Sequence, residues 1–256
     1  MRTGSTVVAM AGYVVIDKRT PAGVSLSPEQ YPDGYVVVLD KPYGWTSADA
    51  VRKIKFGLCR RYRTGKVKVG HAGTLDPLAT GVLAVCVGKA TKSSEALQAG
   101  NKEYLAEITF GATTPSFDKE TEVDAVFPYG HITVGDIAVA LDGMVGEQLQ
   151  LPPVYSAKYV DGVRAYEKAR QGESVDLKAS RIEIYGTEIV EYSPPVLKVV
   201  VRCGKGTYVR AFARDLGVAL GSGAHLSGLV RTASGGFLLE NALSIPEFET
   251  FLSENS

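Results

Sequence analysis

Gly70-His71-Ala72-Gly73-Thr74-Leu75-Asp76-Pro77-Leu78-Ala79-Thr80-Gly81-Val82-Leu83 is the most informative stretch of the chain. Its three glycines permit a tight backbone path, and Pro77 pushes Asp76 toward an extended conformation with little freedom. One carboxylate is thus expected on a rigid loop that feeds a strand-like run, Val82 to Val87. Between Asp49 and Asp76 the chain has no acidic residue and eight basic ones, Arg52, Lys53, Lys55, Arg60, Arg61, Arg63, Lys66 and Lys68. Cations so placed are expected to hold Asp76 ionised, which suits a nucleophile better than a general acid. An isolated Asp-Pro is more often a plain turn, so the loop alone leaves its chemistry open.

The same charge segregation appears elsewhere. A second acid-free stretch, Ser193 to Arg214, carries Lys198, Arg202, Lys205, Arg210 and Arg214, although Lys+Arg and Asp+Glu are balanced at 28 each over 256 residues. The compensating acids collect at Asp118, Glu120, Glu122 and Asp124 and at Glu240, Glu247, Glu249 and Glu254. A neutral chain segregated in this way is expected to present a basic face and an acidic back, and the basic face favours a polyphosphate such as nucleic acid.

Several chemistries find no support. Three cysteines and three histidines are widely spread, with no CxxC or HExxH, so no metal site or disulfide framework is expected. Nothing local to Asp76 supplies the second carboxylate of a glycosidase, and no G-x-S-x-G elbow exists. Gly88-Lys89-Ala90-Thr91 and Gly204-Lys205-Gly206-Thr207 lack phosphate-loop spacing, and Leu226 stands where a dinucleotide fingerprint beginning at Gly221 needs glycine. No apolar run reaches membrane-spanning length, and the short one at Val7 to Ile16 is followed by Asp17-Lys18-Arg19 rather than a cleavage site. The expectation is a cytoplasmic protein with reduced thiols, no membrane association and no cofactor.

Strand-like runs at Tyr35 to Leu39, Val82 to Val87, Lys102 to Phe110, Arg181 to Ile189 and Val196 to Cys203 alternate with helix-period segments, giving a mixed helix–strand domain. Ser47 is expected to cap a helix bearing Val51, Ile54 and Leu58, while Thr133-x-x-Asp136 and Ser244-x-x-Glu247 have capping-box spacing. GYVVIDK (12–18) is echoed by GYVVVLDK (34–41), yet residues 1–33 are taken as an N-terminal extension with at most one strand. The predicted body is one domain over 34–243, with a Pro/Gly-punctuated insertion at about 150–180 holding a basic helical segment, Arg164 to Gln171, and a short tail helix in 244–256.

Taken together these residues are recognisable. GHAGTLDPLATGVL resembles the signature loop of the TruB family of pseudouridine synthases. In chain order the similarity also covers Leu39-Asp40-Lys41-Pro42 with Trp45-Thr46-Ser47, then Lys102-Glu103-Tyr104, Pro152-Pro153-x-Tyr155-Ser156-Ala157 with Arg164-Ala165-Tyr166-Glu167, Lys205-Gly206-Thr207-Tyr208-Val209-Arg210, and Gly223-Ala224-His225-Leu226 with Leu229-x-Arg231. The resemblance implies an α+β pseudouridine-synthase fold, a mixed, mostly antiparallel central sheet flanked by helices with an RNA-clamping insertion. It implies isomerisation of a uridine in the tRNA T loop, the one conventionally numbered 55, without metal or cofactor. The implied partner is the T stem-loop, and a monomer with no obligatory protein partner is expected. A guide-RNA-dependent synthase and a non-catalytic RNA-binding module are the alternatives.

By the same resemblance Asp76 is the catalytic residue, Tyr104 stacks on the target uracil, and Tyr208 contacts the base and takes its C5 proton. Arg210 pairs with Asp76 and orients it, Leu229 lines the base pocket, and His71 fills space left by nucleotides swung out of the T loop. Lys41, Arg52, Arg60, Arg61 and Arg63 are candidates for phosphate contacts. Many bacterial members carry a C-terminal PUA domain; none is expected here, so recognition should centre on the T arm.

Overall fold

A computed structural model describes residues 9–10, 12–155, 159–160, 163–164 and 177–254. In chain order the strands and helices are β1 (Ala9–Met10), β2 (Tyr13–Ile16), β3 (Tyr35–Lys41), α1 (Ser47–Tyr62), β4 (Val69–His71), β5 (Ala79–Val87), α2 (Ser94–Gln98), β6 (Lys102–Phe110), β7 (Ala112–Thr113), β8 (Ala125–Val126), α3 (Val134–Asp142) and β9 (Gly146–Gln150). There follow β10 (Tyr159–Val160), β11 (Val163–Arg164), β12 (Ser180–Ser193), β13 (Val196–Cys203), α4 (Val209–Ala219), β14 (Ala224–Ser234), β15 (Phe237–Leu238) and α5 (Ile245–Glu254). The chain divides into two compact units, 1–102 with 230–256, and 103–229, where the sequence suggests one domain.

In the first unit the near-continuous apolar runs of β3 and β5 have a simple cause: both faces are covered. Tyr35, Val37 and Leu39 of β3 and Leu83, Val85 and Val87 of β5 share one core with α1 and α5. Val36, Val38, Val82, Ala84 and Cys86 form another on the opposite face. The period-2 alternation of side chains sorts one apolar run into two cores. β3 pairs β5 antiparallel, as β4 does, whereas β2 pairs β3 in parallel with Val14 opposite Tyr35 and Ile16 opposite Val37. The two echoed segments are therefore neighbouring strands. Ile16 and Leu26 are fully buried in this unit's core, so 13–33 is integral to it rather than an appendage.

The start of α1 differs from expectation. Its N-cap is Thr46, not Ser47: Thr46 Oγ1 accepts from Asp49 N–H and the Asp49 carboxylate accepts from Thr46 N–H. Ser47 is the first helical residue and turns its hydroxyl inward. Capping boxes at Thr133–Asp136 and Ser244–Glu247 open α3 and α5 as expected. α5 lays Phe248 and Leu252 against α1, at whose Gly57 a Cβ would meet Leu252 at 3.1 Å.

In the second unit β12 pairs antiparallel with both β13 and β9. β6 alternates strictly, burying Tyr104, Ala106, Ile108 and Phe110. α4 buries Val209, Arg210, Phe212 and Leu216, and α3 packs on β12 and α4. The resulting sheets are mixed and mostly antiparallel. Of the expected insertion, 150–155, the paired strands β10 and β11 and 177–180 are described; Arg164, expected to open a basic helical segment to Gln171, instead ends strand β11, and the rest of that segment lies outside the described residues. Among the described residues no helix is long and apolar enough to cross a membrane.

Candidate functional site

The loop bearing Asp76 joins β4 to β5, and its backbone is held at nearly every step. Gly73 has φ of 98° and Gly81 of 101°, both in the region that favours glycine. At Gly81 the requirement is absolute, because a Cβ would sit 2.3 Å from the carbonyl oxygen of Arg231. Between them, Ala79 N–H donates to Asp76 O at 3.1 Å and Gly44 N–H donates to Pro77 O at 2.9 Å.

Three buried side chains complete the scaffold. Ser47 Oγ donates to Leu75 O at 3.0 Å and accepts from Leu75 N–H at 2.9 Å. Arg231, 1% exposed, donates from Nε to Val82 O at 2.7 Å, from Nη1 to Thr74 O and from Nη2 to Gly73 O, both at 3.3 Å. Lys41 Nζ donates to Pro42 O at 2.9 Å, Trp45 O at 2.6 Å and Pro77 O at 3.4 Å. The neighbours on both sides of Asp76 are thus tied to buried donors and acceptors, which fixes its position ahead of any ligand.

Lys41 consequently overturns one expectation. It is fully buried with its ammonium spent on backbone carbonyls, so it does not reach RNA phosphate. Burial lowers its pKa from 10.5 to about 8, opposed chiefly by the nearby Asp76 charge. His71, half-buried at the end of β4, has its pKa lowered by burial and by the Arg231 charge, so its imidazole is neutral at pH 7. Its Nδ1 is buried and, among the described residues, has no hydrogen-bond partner.

The remaining cation candidates differ in availability. Arg60 and Arg63 are exposed, and Arg52 is exposed but ion-paired to Asp49. Arg61 is half-buried, with Nε donating to Leu252 O at 3.1 Å, so it also secures the end of α5.

The second unit holds Tyr104, Tyr208, Arg210 and Leu229. Tyr104, 8% exposed, stands on the buried face of β6 with Ala106 and Ile108. Tyr208 occupies the N-cap position of α4, and Gln150 grips its backbone from both sides: Tyr208 N–H donates to Oε1 at 2.9 Å and Nε2 donates to Tyr208 O at 3.1 Å. Arg210 is 4% exposed and lies 3.5 Å from the carboxylate of buried Asp118. It also donates to Ser116 O at 3.3 Å and Tyr155 O at 3.0 Å. Asp118 Oδ1 accepts from Ser116 Oγ at 2.6 Å and from Glu120 N–H at 2.9 Å. Leu229 is half-buried on β14.

Asp118 corrects the expectation of an acidic back at that position: it is buried and ion-paired with Arg210. Gln150 and Asp118 carry no sequence signal of their own, since each gains its role from a residue dozens of positions away. Arg231 lies in a recognised block, but nothing in its spacing reveals the three carbonyls it holds. Among the described residues no group of three His, Cys, Asp or Glu side chains gathers as a metal site requires.

Comparison with known proteins gives consistent matches. A family model described as TruB family pseudouridylate synthase, N-terminal domain, matches residues 60–209. The chain is 51% identical over 224 residues to tRNA pseudouridine synthase B of Phocaeicola vulgatus, covering 88% of this chain and 95% of that one. It is 45% identical over 228 residues to the protein of the same name from Flavobacterium johnsoniae, covering 89% of this chain and all of the other. Among solved structures, a chain from a Cbf5-Nop10-Gar1 complex matches with a TM-score of 0.66 at 27% identity, over 92% of this chain and 58% of that chain.

Proposed function

The chain belongs to the TruB family of pseudouridylate synthases, and on that footing we propose that it isomerises uridine to pseudouridine in tRNA, at the T-loop uridine conventionally numbered 55. The observation that carries this reading is the Asp76 loop, whose backbone on both sides of the aspartate is held by the buried side chains of Ser47, Arg231 and Lys41. Such preorganisation is what a nucleophile or base needs when its reaction partner must be met in one geometry.

The reaction breaks the N1–C1′ bond, turns the uracil and forms the C5–C1′ bond; the C5 proton leaves and N1 gains one. Substrate and product are isomers, so no electrons are exchanged with a cofactor. Asp76 is the catalytic carboxylate. Tyr208, positioned through its backbone by Gln150, takes the C5 proton, and Tyr104 stacks on the uracil. Arg210 orients Asp76 and is itself held beside Asp118. Leu229 supplies apolar contact to the base, and the neutral His71 fills space vacated by displaced T-loop nucleotides. Arg52, Arg60, Arg61 and Arg63 contact phosphates of the T arm and help offset the few kcal/mol needed to unstack the target. The enzyme acts in the cytoplasm as a monomer without an obligatory protein partner.

The test is nucleoside analysis of an unmodified tRNA transcript incubated with the purified protein alone. One uridine lost and one pseudouridine gained per tRNA, mapped to the T loop, is the expected result. Conversion only when a guide RNA or protein partner is added would overturn the stand-alone reading.

A further inference from the structure

A groove of about 520 Å³ at the start of α1 is lined by Gly44, Trp45, Asp49, Arg52, Lys53 and Phe56. Its composition is unusual for a helix surface. The buried stripe of α1 is Ser47, Ala50, Ile54 and Leu58, and at roughly 100° per residue Phe56 falls on nearly the opposite side. Phe56 is accordingly 64% exposed, and Tyr43, beside Gly44, is 60% exposed. Trp45 packs part of its ring on the core and lends the rest to the groove. A single exposed aromatic is ordinary; Trp45 and Phe56 lining one groove amid cations, with exposed Tyr43 next to Gly44 in the chain, indicate a ligand.

The charges select the kind of ligand. Arg52 and Lys53 line the groove, and Lys55, Arg60, Arg61, Arg63, Lys66 and Lys68 follow with no intervening acid. Arg52 pairs with Asp49, and Lys53 lies 2.5 Å from Glu249, but these pairs are solvent-exposed and contribute little, so a phosphate can replace the carboxylates. Aromatic faces interleaved with cations are the chemistry that binds unpaired nucleotides, each base offering a π-face whatever its identity. The groove also adjoins the reacting loop: Gly44 N–H donates to Pro77 O, and Lys41 Nζ ties Trp45 O to Pro77 O.

The geometry points to a second nucleotide-binding subsite, in which an unpaired nucleotide of the substrate RNA stacks on Trp45 and Phe56 while Arg52 and Lys53 hold its phosphate. This rests on the reading of the protein as an RNA-modifying enzyme, and gives it a second anchor beyond the target uridine. Duplex RNA is a poor occupant because its bases are already stacked, so the subsite selects loop over stem.

Trp45 is the sole tryptophan of the chain, so its fluorescence reports the groove directly. Titrating a T stem-loop RNA into the full-length protein is expected to quench Trp45 emission saturably. Phe56→Ala, at an exposed position that folding does not require, is expected to weaken Kd by about tenfold, the scale of one lost base–aromatic stack. Tritium release from 5-³H-uridine tRNA is followed alongside. Turnover by the wild type with unchanged Trp45 emission and an unaltered Kd for Phe56→Ala would overturn the subsite and leave the synthase reading intact. Equal quenching by heparin, which has no bases, would reduce the groove to a charge patch and overturn stacking. Absence of tritium release from the wild type would overturn the synthase reading and the subsite with it.

Discussion

Ser47 and Leu75 form a reciprocal pair: the Ser47 hydroxyl donates to the Leu75 carbonyl at 3.0 Å and accepts from the Leu75 N–H at 2.9 Å, both bonds buried. One side chain thus satisfies both backbone groups of the residue preceding Asp76 and fastens the loop to the first turn of α1. Ser47→Ala leaves that N–H and C=O buried without this partner. The expected cost is about 1–3 kcal/mol of stability together with a fall in kcat, as Asp76 loses its fixed position. Thermal unfolding and single-turnover kinetics check it; full activity in the variant would show that Ser47 does not position the loop.

Lys41 should give the protein an alkaline stability signature. Its folded-state pKa is lowered to about 8 from 10.5. Below about pH 8 folded and unfolded chains both carry the proton, and the penalty for burying the charge is fully present. Between about 8 and 10.5 the unfolded chain binds more protons, so this residue's contribution to stability improves as pH rises. Denaturant unfolding of wild type and Lys41→Met across this range should show the difference moving in favour of the wild type. A difference independent of pH would contradict the assignment.

The Arg210–Asp118 pair makes a different prediction. Asp118→Ala removes the carboxylate 3.5 Å from the buried Arg210 guanidinium, which should lower stability by about 1–3 kcal/mol. The double variant Arg210→Met with Asp118→Leu should recover much of that stability while remaining inactive, because an apolar pair replaces the charge but not its chemistry. Chemical denaturation and tritium release separate the two effects.

The exposed cations should reveal themselves through salt. Charge reversal at Arg60 or Arg63 should flatten the dependence of log affinity on log salt by roughly 0.9 per lost duplex contact, or about 0.7 on a single strand. Arg61, whose Nε serves Leu252 O, should also lose stability when replaced. An unchanged slope would return Arg60 and Arg63 to a solvated helix face.

Much of this was legible in the sequence where local pattern and tertiary environment agree. The β3 and β5 runs and the Thr133 and Ser244 capping boxes are read directly, because their causes lie within a few residues. The Asp76 loop is also readable, its glycines and Asp-Pro step being local constraints. What escaped depends on distant partners. A lysine at a strand end looks exposed until three carbonyls from two loops surround it, as they do Lys41. Asp118 looks like one acid of a solvated cluster until Arg210, 92 residues on in the numbering, is placed against it. β14 escaped because its burial does not alternate: His225 and Leu226 are both buried, and Ser227 to Val230 are all half-covered.

The most direct test of the central claim compares wild type with Asp76→Asn for tritium release from unmodified tRNA carrying 5-³H-uridine, since the C5 hydrogen leaves only if the new bond forms at C5. One mole released per mole of tRNA by the wild type and none by the variant is expected, with the variant's tRNA affinity within about tenfold because phosphate contacts dominate binding. Measurable release by Asp76→Asn would contradict it and remove Asp76 from the chemistry.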